Sequence, residues 1–125
     1  MRVKNVILGI KSLEEMLDEA KGVMKSLEKG EKVRKKKPGI YFKDLETMRK
    51  AITEEKLKIL RLIKERHPGS VYELAKLLKR DAKNVANDVN YLQDLGLIEL
   101  RKNKEGRSKN IPLVNYDKIL VEIPV

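Results

Sequence analysis

The chain has 125 residues, enough for one compact domain with a small appended element, and a net charge of +10. Hydrophobic residues make up 41% and aromatic residues 4%, which predicts an aliphatic core. No run of about 18 apolar residues exists, which excludes a transmembrane helix. The first ten residues lack the apolar core and cleavage site of a signal peptide, so we expect a cytoplasmic protein. The absence of cysteine excludes disulfides and thiolate metal sites.

The excess of basic residues favours an anionic partner. Nucleic acid is the first such partner, and an anionic membrane surface is the second. The sequence pI is about 9.7. Charge alone would also fit a protein that is merely soluble, so the motifs must decide between these classes.

An amphipathic helix is predicted near the N-terminus. Ser12 and Glu15 form a capping box, and the apolar residues that follow recur at helical spacing on one face. This apolar stripe consists of Leu13, Leu17, Ala20, Met24 and Leu27. Residues 3–10 fit either an extension of this helix or a separate strand. The run Val6-Ile7-Leu8 and the fresh cap at Ser12 favour the strand.

A basic linker and a second short strand complete the N-terminal part. The tract from Lys32 to Lys37 precedes Pro38-Gly39, which predicts an exposed linker, with a flexible arm to DNA as the alternative. Ile40-Tyr41-Phe42 predicts a short strand, and Asp44 is expected to cap a short helix. Residues 1–52 are therefore predicted to form a strand–helix–strand extension.

Three consecutive helices are predicted after residue 52. Thr53, Ser70 and Asp81 are the expected N-caps, since their side-chain oxygens can accept from the first free backbone N–H groups. His67 with Pro68 ends the first helix, and Gly96 ends the third. The residues expected to be buried from the third helix are Val85, Val89, Leu92 and Leu95.

The remaining residues predict strands. We expect strands over 97–100, 111–114 and 119–123, with a basic turn between the first two. Three helices with a short turn before the third, followed by a hairpin, is the order of winged helix-turn-helix proteins. In these proteins the third helix enters the major groove of DNA. The predicted fold class is thus α+β, with a winged helix-turn-helix domain over residues 53–125.

The predicted third helix presents a polar face opposite its apolar one. Asparagine can bind adenine bidentately, lysine can reach guanine or phosphate, and tyrosine can donate to phosphate. Asparagine is also a poor helix former, so three of them on one helix favour a functional role. The predicted DNA contacts of this helix are Lys83, Asn84, Asn87, Asn90 and Tyr91. For Tyr91, packing against the hairpin is the alternative.

The hairpin is predicted to neutralise phosphates through its basic side chains, which would make DNA affinity fall with salt. An ordinary exposed turn is the alternative. These side chains are Arg101, Lys102, Lys104, Arg107 and Lys109.

Self-association is predicted at the apolar stripe of the N-terminal helix, because palindromic DNA sites require a two-fold symmetric protein. Packing against the chain's own DNA-binding domain is the alternative. His67 is the only histidine, and its place at a helix end predicts a structural role. No metal-ligand set, phosphate-binding loop or nucleophile motif is present, so we expect neither a cofactor nor catalytic activity.

The segment over residues 68–99 contains a motif built from Lys83-Asn84-Val85, Asp88-Val89, Leu92 and the run 95–98. It resembles the MarR-like winged-helix predicted transcriptional regulators of archaea and bacteria, as do residues 40–46 and the helix that begins at Thr53. The resemblance implies DNA binding and regulation, in some members in an antitoxin-like context with a partner gene. Ala86 and Asn87 stand where members often have Ser-Arg or His-Arg. This helix therefore lacks the phosphate contact of that arginine.

The leading hypothesis is a homodimeric transcriptional regulator that binds double-stranded DNA sequence-specifically and no membrane. One alternative is a module on a winged-helix scaffold, such as an antitoxin subunit, that binds a protein partner. Another is a protein that coats nucleic acid without sequence preference. A stripe left unpaired in the homodimer would favour the first alternative. A steep salt dependence without sequence discrimination would favour the second.

Overall fold

The computed structural model describes residues 4–31, 39–102 and 110–125. The chain is an α+β protein, as predicted, and it divides into two compact units. The first unit comprises residues 1–50 and 116–125, and the second comprises residues 51–115. The sequence places all residues after 52 in one domain, whereas the structure returns the last ten residues to the first unit.

The first unit is built on a parallel sheet. Strand β1 (Asn5–Ile10) leads through helix α1 (Leu13–Glu28) to strand β2 (Gly39–Phe42), and helix α2 (Leu45–Ala51) follows. The strand expected within residues 3–10 is thus confirmed. A parallel pair needs a long crossover, which α1 provides.

The last strand of the chain, which we label β5 (Lys118–Glu122), pairs with the other edge of β1, so the strand order is β2-β1-β5. Both pairings are parallel. Asp117 anchors this return, since its backbone N–H donates to the Lys4 carbonyl at 2.7 Å and its carboxylate accepts from the Lys4 N–H at 2.9 Å. A short run of apolar residues predicts a strand but not its partner, which explains why the sequence assigned β5 to the second unit.

Tyr41 forms a small cluster on the sheet. A Cβ atom at Gly9 would lie 2.7 Å from the Tyr41 ring, so only glycine fits beneath it. The Lys11 ammonium lies 3.9 Å from the ring centroid and donates to Glu19 of α1 at 2.9 Å. This hydrogen bond raises the pKa of Lys11. The cluster ties α1 to β2.

The second unit contains three helices and a hairpin. The helices are α3 (Glu54–Arg66), α4 (Val71–Leu78) and α5 (Ala82–Leu95). Strands β3 (Glu99–Lys102) and β4 (Asn110–Leu113) pair antiparallel, with Leu100 opposite Pro112. Burial of one face from each helix forms the core, in which the side chains below 2% exposure include Ile59, Ile63, Leu74, Val85, Val89, Leu92 and Leu97.

The predicted helix boundaries of this unit are confirmed. The side chains of Thr53, Ser70 and Asp81 accept backbone hydrogen bonds at 3.0–3.2 Å from the residues three positions later. Helices α3 and α5 end at His67 and Gly96, whose positive φ angles of 47° and 89° close the last turn. The strand limits differ from the prediction by one or two residues.

Candidate nucleic-acid interface

Helix α5 turns one apolar face inward and one polar face outward. Val85, Val89 and Leu92 are fully buried, which fixes the rotation of the helix about its axis. The opposite side carries exposed side chains that can both donate and accept hydrogen bonds or bear a positive charge. We define these as the α5 polar face: Lys83, Asn84, Asn87 and Asn90.

A groove runs along one flank of α5. It has a volume of about 470 Å³ and lies between the start of α4, helix α5 and the hairpin. Ser70 and Tyr72 line it from α4, Asn90 lines it from α5, and Leu100 and Asn110 line it from the hairpin. Three separate elements thus present hydrogen-bonding groups to one open channel.

Tyr72 is the most exposed aromatic side chain on this flank, at 63%. It lies on the first turn of α4, whose other side is anchored by buried Leu74 and Ala75. The Lys76 ammonium lies 4.7 Å from the Tyr72 ring centroid, so a positive charge accompanies the ring at the surface. Tyr72 and Lys76 are not among the DNA contacts predicted from the sequence. The signal that could have found Tyr72 is its place as an aromatic residue on the outward side of a short amphipathic helix.

The other flank of α5 is closed by ion pairs. Arg80 donates to Asp88 of α5 at 3.1 Å and lies 3.6 Å from Glu55 of α3. The hollow beside this pair has a volume of about 510 Å³ and is lined by acidic and basic side chains together with Asn84 and Asn87 of the α5 polar face. Arg80 is thus the partner that neutralises Asp88.

Tyr91 does not line this groove. Its ring is partly buried, and the Lys56 ammonium of α3 lies 4.8 Å from its centroid. Of the predicted DNA contacts on α5, the structure thus brings four onto one exposed face and places Tyr91 beside the start of α3.

Two of the five basic residues predicted to contact DNA from the hairpin lie within the described residues. Lys102 and Arg101 are exposed, whereas the predicted contacts Lys104, Arg107 and Lys109 lie outside the described residues. The Arg101 guanidinium donates to Glu99 at 3.1 Å, and Asn115 donates to the same carboxylate at 2.7 Å. These hydrogen bonds hold the pKa of Glu99 below its usual range. An ionised carboxylate therefore accompanies Arg101.

The predicted interface residues of α1 lie together on one exposed face. Leu13, Leu17, Met24 and Leu27 are 54–68% exposed, and Ala20 is exposed between them.

The described residues hold no group of three or more His, Cys, Asp or Glu side chains placed to bind a metal ion. In the same part of the chain, no helix has the length and apolar character needed to cross a membrane. His67 is exposed and closes α3 through its backbone N–H, which donates to Ile63 at 3.2 Å.

Comparison with known proteins identifies the family of the chain. The HVO_A0114 family model matches residues 51–121, which is more than half of the chain. The chain therefore belongs to the HVO_A0114 family. The match begins at the first residue of the second unit and extends into β5. No curated protein and no solved structure shows significant similarity to the chain.

Proposed function

We propose that the second unit is a winged helix-turn-helix domain that binds double-stranded DNA sequence-specifically, and that the protein is a transcriptional regulator. The α5 polar face is the observation that carries this proposal. It places Asn84, Asn87 and Asn90 with Lys83 on the open side of a helix that follows a short turn and precedes a hairpin. Helices in this position read base edges in the major groove.

The chemistry of this face suits base recognition. An asparagine amide can donate to and accept from adenine at the same time, and the short side chain holds the amide close to the helix. Several asparagines on one helix lower its intrinsic helix propensity, because the asparagine side chain competes for the hydrogen bonds of the backbone. A solvated surface without a function would more often use lysine and glutamate.

The two flanks of α5 support one docking direction. The groove flank carries Ser70, Tyr72 and Lys76, whose hydroxyl and ammonium groups can contact phosphate oxygens. The opposite flank carries Glu54 and Glu55 beside Lys56 and Arg80, so it offers no net positive charge to the DNA backbone. We infer that the backbone passes on the groove side, between the start of α4 and the hairpin.

The first experiment compares binding to DNA upstream of the protein's own gene with binding to random duplex of equal length. Salt is varied from about 50 to 200 mM, because phosphate contacts make affinity fall with salt. If the upstream DNA holds no site, a preferred duplex is selected from a random pool. Sequence-specific binding predicts that the preferred duplex binds on the order of 10³-fold more tightly than random duplex. Equal affinity for all duplexes would support non-specific coating instead. Absence of binding would leave the winged-helix scaffold as a protein-interaction module.

The double substitution Lys83→Ala with Asn87→Ala tests whether the α5 polar face reads the DNA sequence. Both side chains are exposed, so the fold should persist. We expect the preferred site to bind this variant no better than random duplex. A variant that keeps its preference would exclude α5 as the reading helix.

A further inference from the structure

Helix α1 is the least buried, relative to its length, of the helices in the described part of the chain. It has 16 residues, yet none of them is buried. Met16, Glu19, Val23 and Ser26 are half-buried along one side. The apolar stripe lies beside them and is exposed. Contiguous exposed apolar side chains of this size usually mark an interaction surface.

The stripe follows a heptad pattern. Its residues are spaced 4, 3, 4 and 3 apart, which places them at alternating d and a positions of three consecutive heptads. Ala20 lies at the middle of the stripe, with two larger apolar residues on each side. A stripe with a small residue at its centre can pair with itself about a two-fold axis there.

The charges of α1 are separated into two halves. Glu14, Glu15, Asp18 and Glu19 occupy the first half without any basic residue, whereas Lys21 and Lys25 follow in the second half, which ends at Glu28. All four charged pairs at i and i+4 within residues 13–29 have like signs, whereas the i and i+3 pairs Asp18–Lys21 and Lys25–Glu28 have opposite signs. The helix dipole accounts for charges in the first and last turns, but Asp18 and Lys21 lie between them.

We propose that α1 pairs in antiparallel orientation with α1 of a second copy of this chain. In this arrangement Leu13 lies beside the partner's Leu27, and Leu17 lies beside the partner's Met24. The acidic half of each helix then faces the basic half of the other. The two closest ion pairs join Asp18 to the partner's Lys21 and Glu14 to the partner's Lys25.

A parallel pair is disfavoured by the same residues. In-register parallel packing would place each charge beside its own copy, so that Asp18 would face Asp18 and Lys21 would face Lys21. In an antiparallel pair, the same side of each helix faces its copy on the other helix. The exposed side with Asp18 and Lys21 can therefore meet its copy. The half-buried side with Met16 and Val23 stays packed on the first unit of its own chain.

The self-complementary charges identify the occupant as a second copy. A two-fold interface uses the same patch on both chains, so each residue contact occurs twice. An unrelated partner would need no such symmetry in the charges of α1. This proposal does not depend on DNA binding, although a two-fold dimer suits a palindromic site.

Sedimentation equilibrium of the full chain without DNA tests the stripe. We expect a dimer for the natural sequence and a monomer for Leu17→Asp, which buries a charge at the interface. The matched control is Tyr72→Asp, an exposed aromatic residue on α4, which should leave the dimer intact. Circular dichroism verifies the fold of each variant. A monomeric natural chain, or a dimer that tolerates Leu17→Asp, would overturn the proposal.

Charge exchange tests the orientation. Asp18→Lys creates like-charge contacts at two symmetric places, and we expect the dissociation constant to rise about tenfold. Lys21→Asp should do the same. The double variant should restore the natural value, because the pairs reform with exchanged signs. A double variant as weak as the single ones would exclude antiparallel pairing.

Cysteine crosslinking gives a second measure of orientation, since the chain has no cysteine of its own. A mixture of Leu13→Cys chains and Leu27→Cys chains should form a disulfide-linked dimer on mild oxidation. Leu13→Cys chains alone should not. The reverse result would establish a parallel pair and overturn the proposal, whatever the outcome of the DNA assays.

Discussion

Asp44 and Glu99 are both exposed carboxylates, yet hydrogen bonds hold the pKa of each below its usual range. For Asp44 the donors are the hydroxyl and backbone N–H of Thr47, at 2.6 and 2.8 Å. For Glu99 the donors are Arg101 and Asn115. The partners of a surface charge, and not its exposure alone, therefore determine what that charge does.

Asp44→Ala should lower the melting temperature at neutral pH, because the carboxylate satisfies the first turn of α2. The folded-state pKa lies below the unfolded value of about 3.9, so the ionised group stabilises the fold above that pH. This contribution is lost as the pH falls through the folded-state pKa. The difference from the natural chain should therefore disappear in acid.

Thermal unfolding across pH measures this difference. Glu31→Ala is the control, since it removes an exposed carboxylate that starts no helix. A deficit that stays constant down to acidic pH would show that the charge of Asp44 has no part in the cap.

Asn90 provides the residue-scale test of base recognition. It lies where the α5 polar face meets the groove. Asn90→Ala should cost about 1–3 kcal/mol on the preferred site, because a bidentate amide contact is lost, and little on random duplex. Asn5→Ala, an exposed asparagine on β1, should change neither. Equal losses on both duplexes would assign Asn90 to backbone contact.

Helix caps link single residues to elements. The Ser70 hydroxyl accepts from Glu73 at 3.0 Å, and the Glu73 carboxylate accepts from the Gly69 N–H at 2.8 Å. This reciprocal pair positions the short helix α4, and with it the exposed ring of Tyr72. Since α4 has only 8 residues, its own propensity cannot hold it in place.

Ser70→Ala should therefore lower the free energy of unfolding by about 1 kcal/mol. Ser70→Asp keeps an acceptor at the helix start and should recover most of this loss. Chemical denaturation measures both variants. If alanine were tolerated without loss, α4 would be held by its packing alone.

The core defines how α5 is oriented. Leu92 is fully buried, and Leu92→Ala should lower the free energy of unfolding by about 2–5 kcal/mol, because the cavity removes packing against α5. Leu77 is 37% exposed, so Leu77→Ala should cost clearly less. Similar losses for the two variants, measured by denaturant titration, would contradict this view of the core.

The elements could be predicted from sequence better than their assembly. Caps, glycine ends and apolar spacing are local signals, so all three helices of the second unit and the N-terminal strand were expected where they lie. The partner of β5 is set by burial and hydrogen bonding far along the chain, which no local pattern records. Lys79 likewise ends α4 with a φ of 54°, a conformation that sequence rules assign to glycine or asparagine.

For the candidate site, helical spacing correctly placed Lys83, Asn84, Asn87 and Asn90 on one exposed face. It could not separate Tyr91 from them, because the approach of Lys56 from α3 depends on packing between helices. Helical spacing also does not identify Tyr72, because its place in the groove depends on packing between elements. The groove exists only once α4, α5 and the hairpin are assembled.

At the scale of the whole molecule, a net charge of +10 favours attraction to any polyanion. Such attraction raises affinity for every DNA duplex alike, so it cannot provide preference by itself. In the proposed function, preference comes from the amides of α5, and general affinity comes from the basic groups around it. The carboxylate of Glu99 opposes the second of these contributions.

Glu99→Gln tests this division of roles. The substitution removes the ionised partner of Arg101 but keeps an oxygen that can accept its hydrogen bond. Arg101 then presents an uncompensated charge to phosphate. We expect binding to preferred and random duplexes to tighten by a similar factor, about two- to fivefold for an exposed charge. The salt dependence should steepen by about 0.9 in log–log slope if one phosphate contact is gained.

Glu65→Gln is the matched control, because it removes the same charge from an exposed position on α3. If it tightened binding as much as Glu99→Gln, net charge alone would explain the effect. If Glu99→Gln changed only the preferred duplex, the hairpin would contact bases. A uniform gain specific to Glu99→Gln would place Arg101 on the DNA backbone and leave sequence preference to α5.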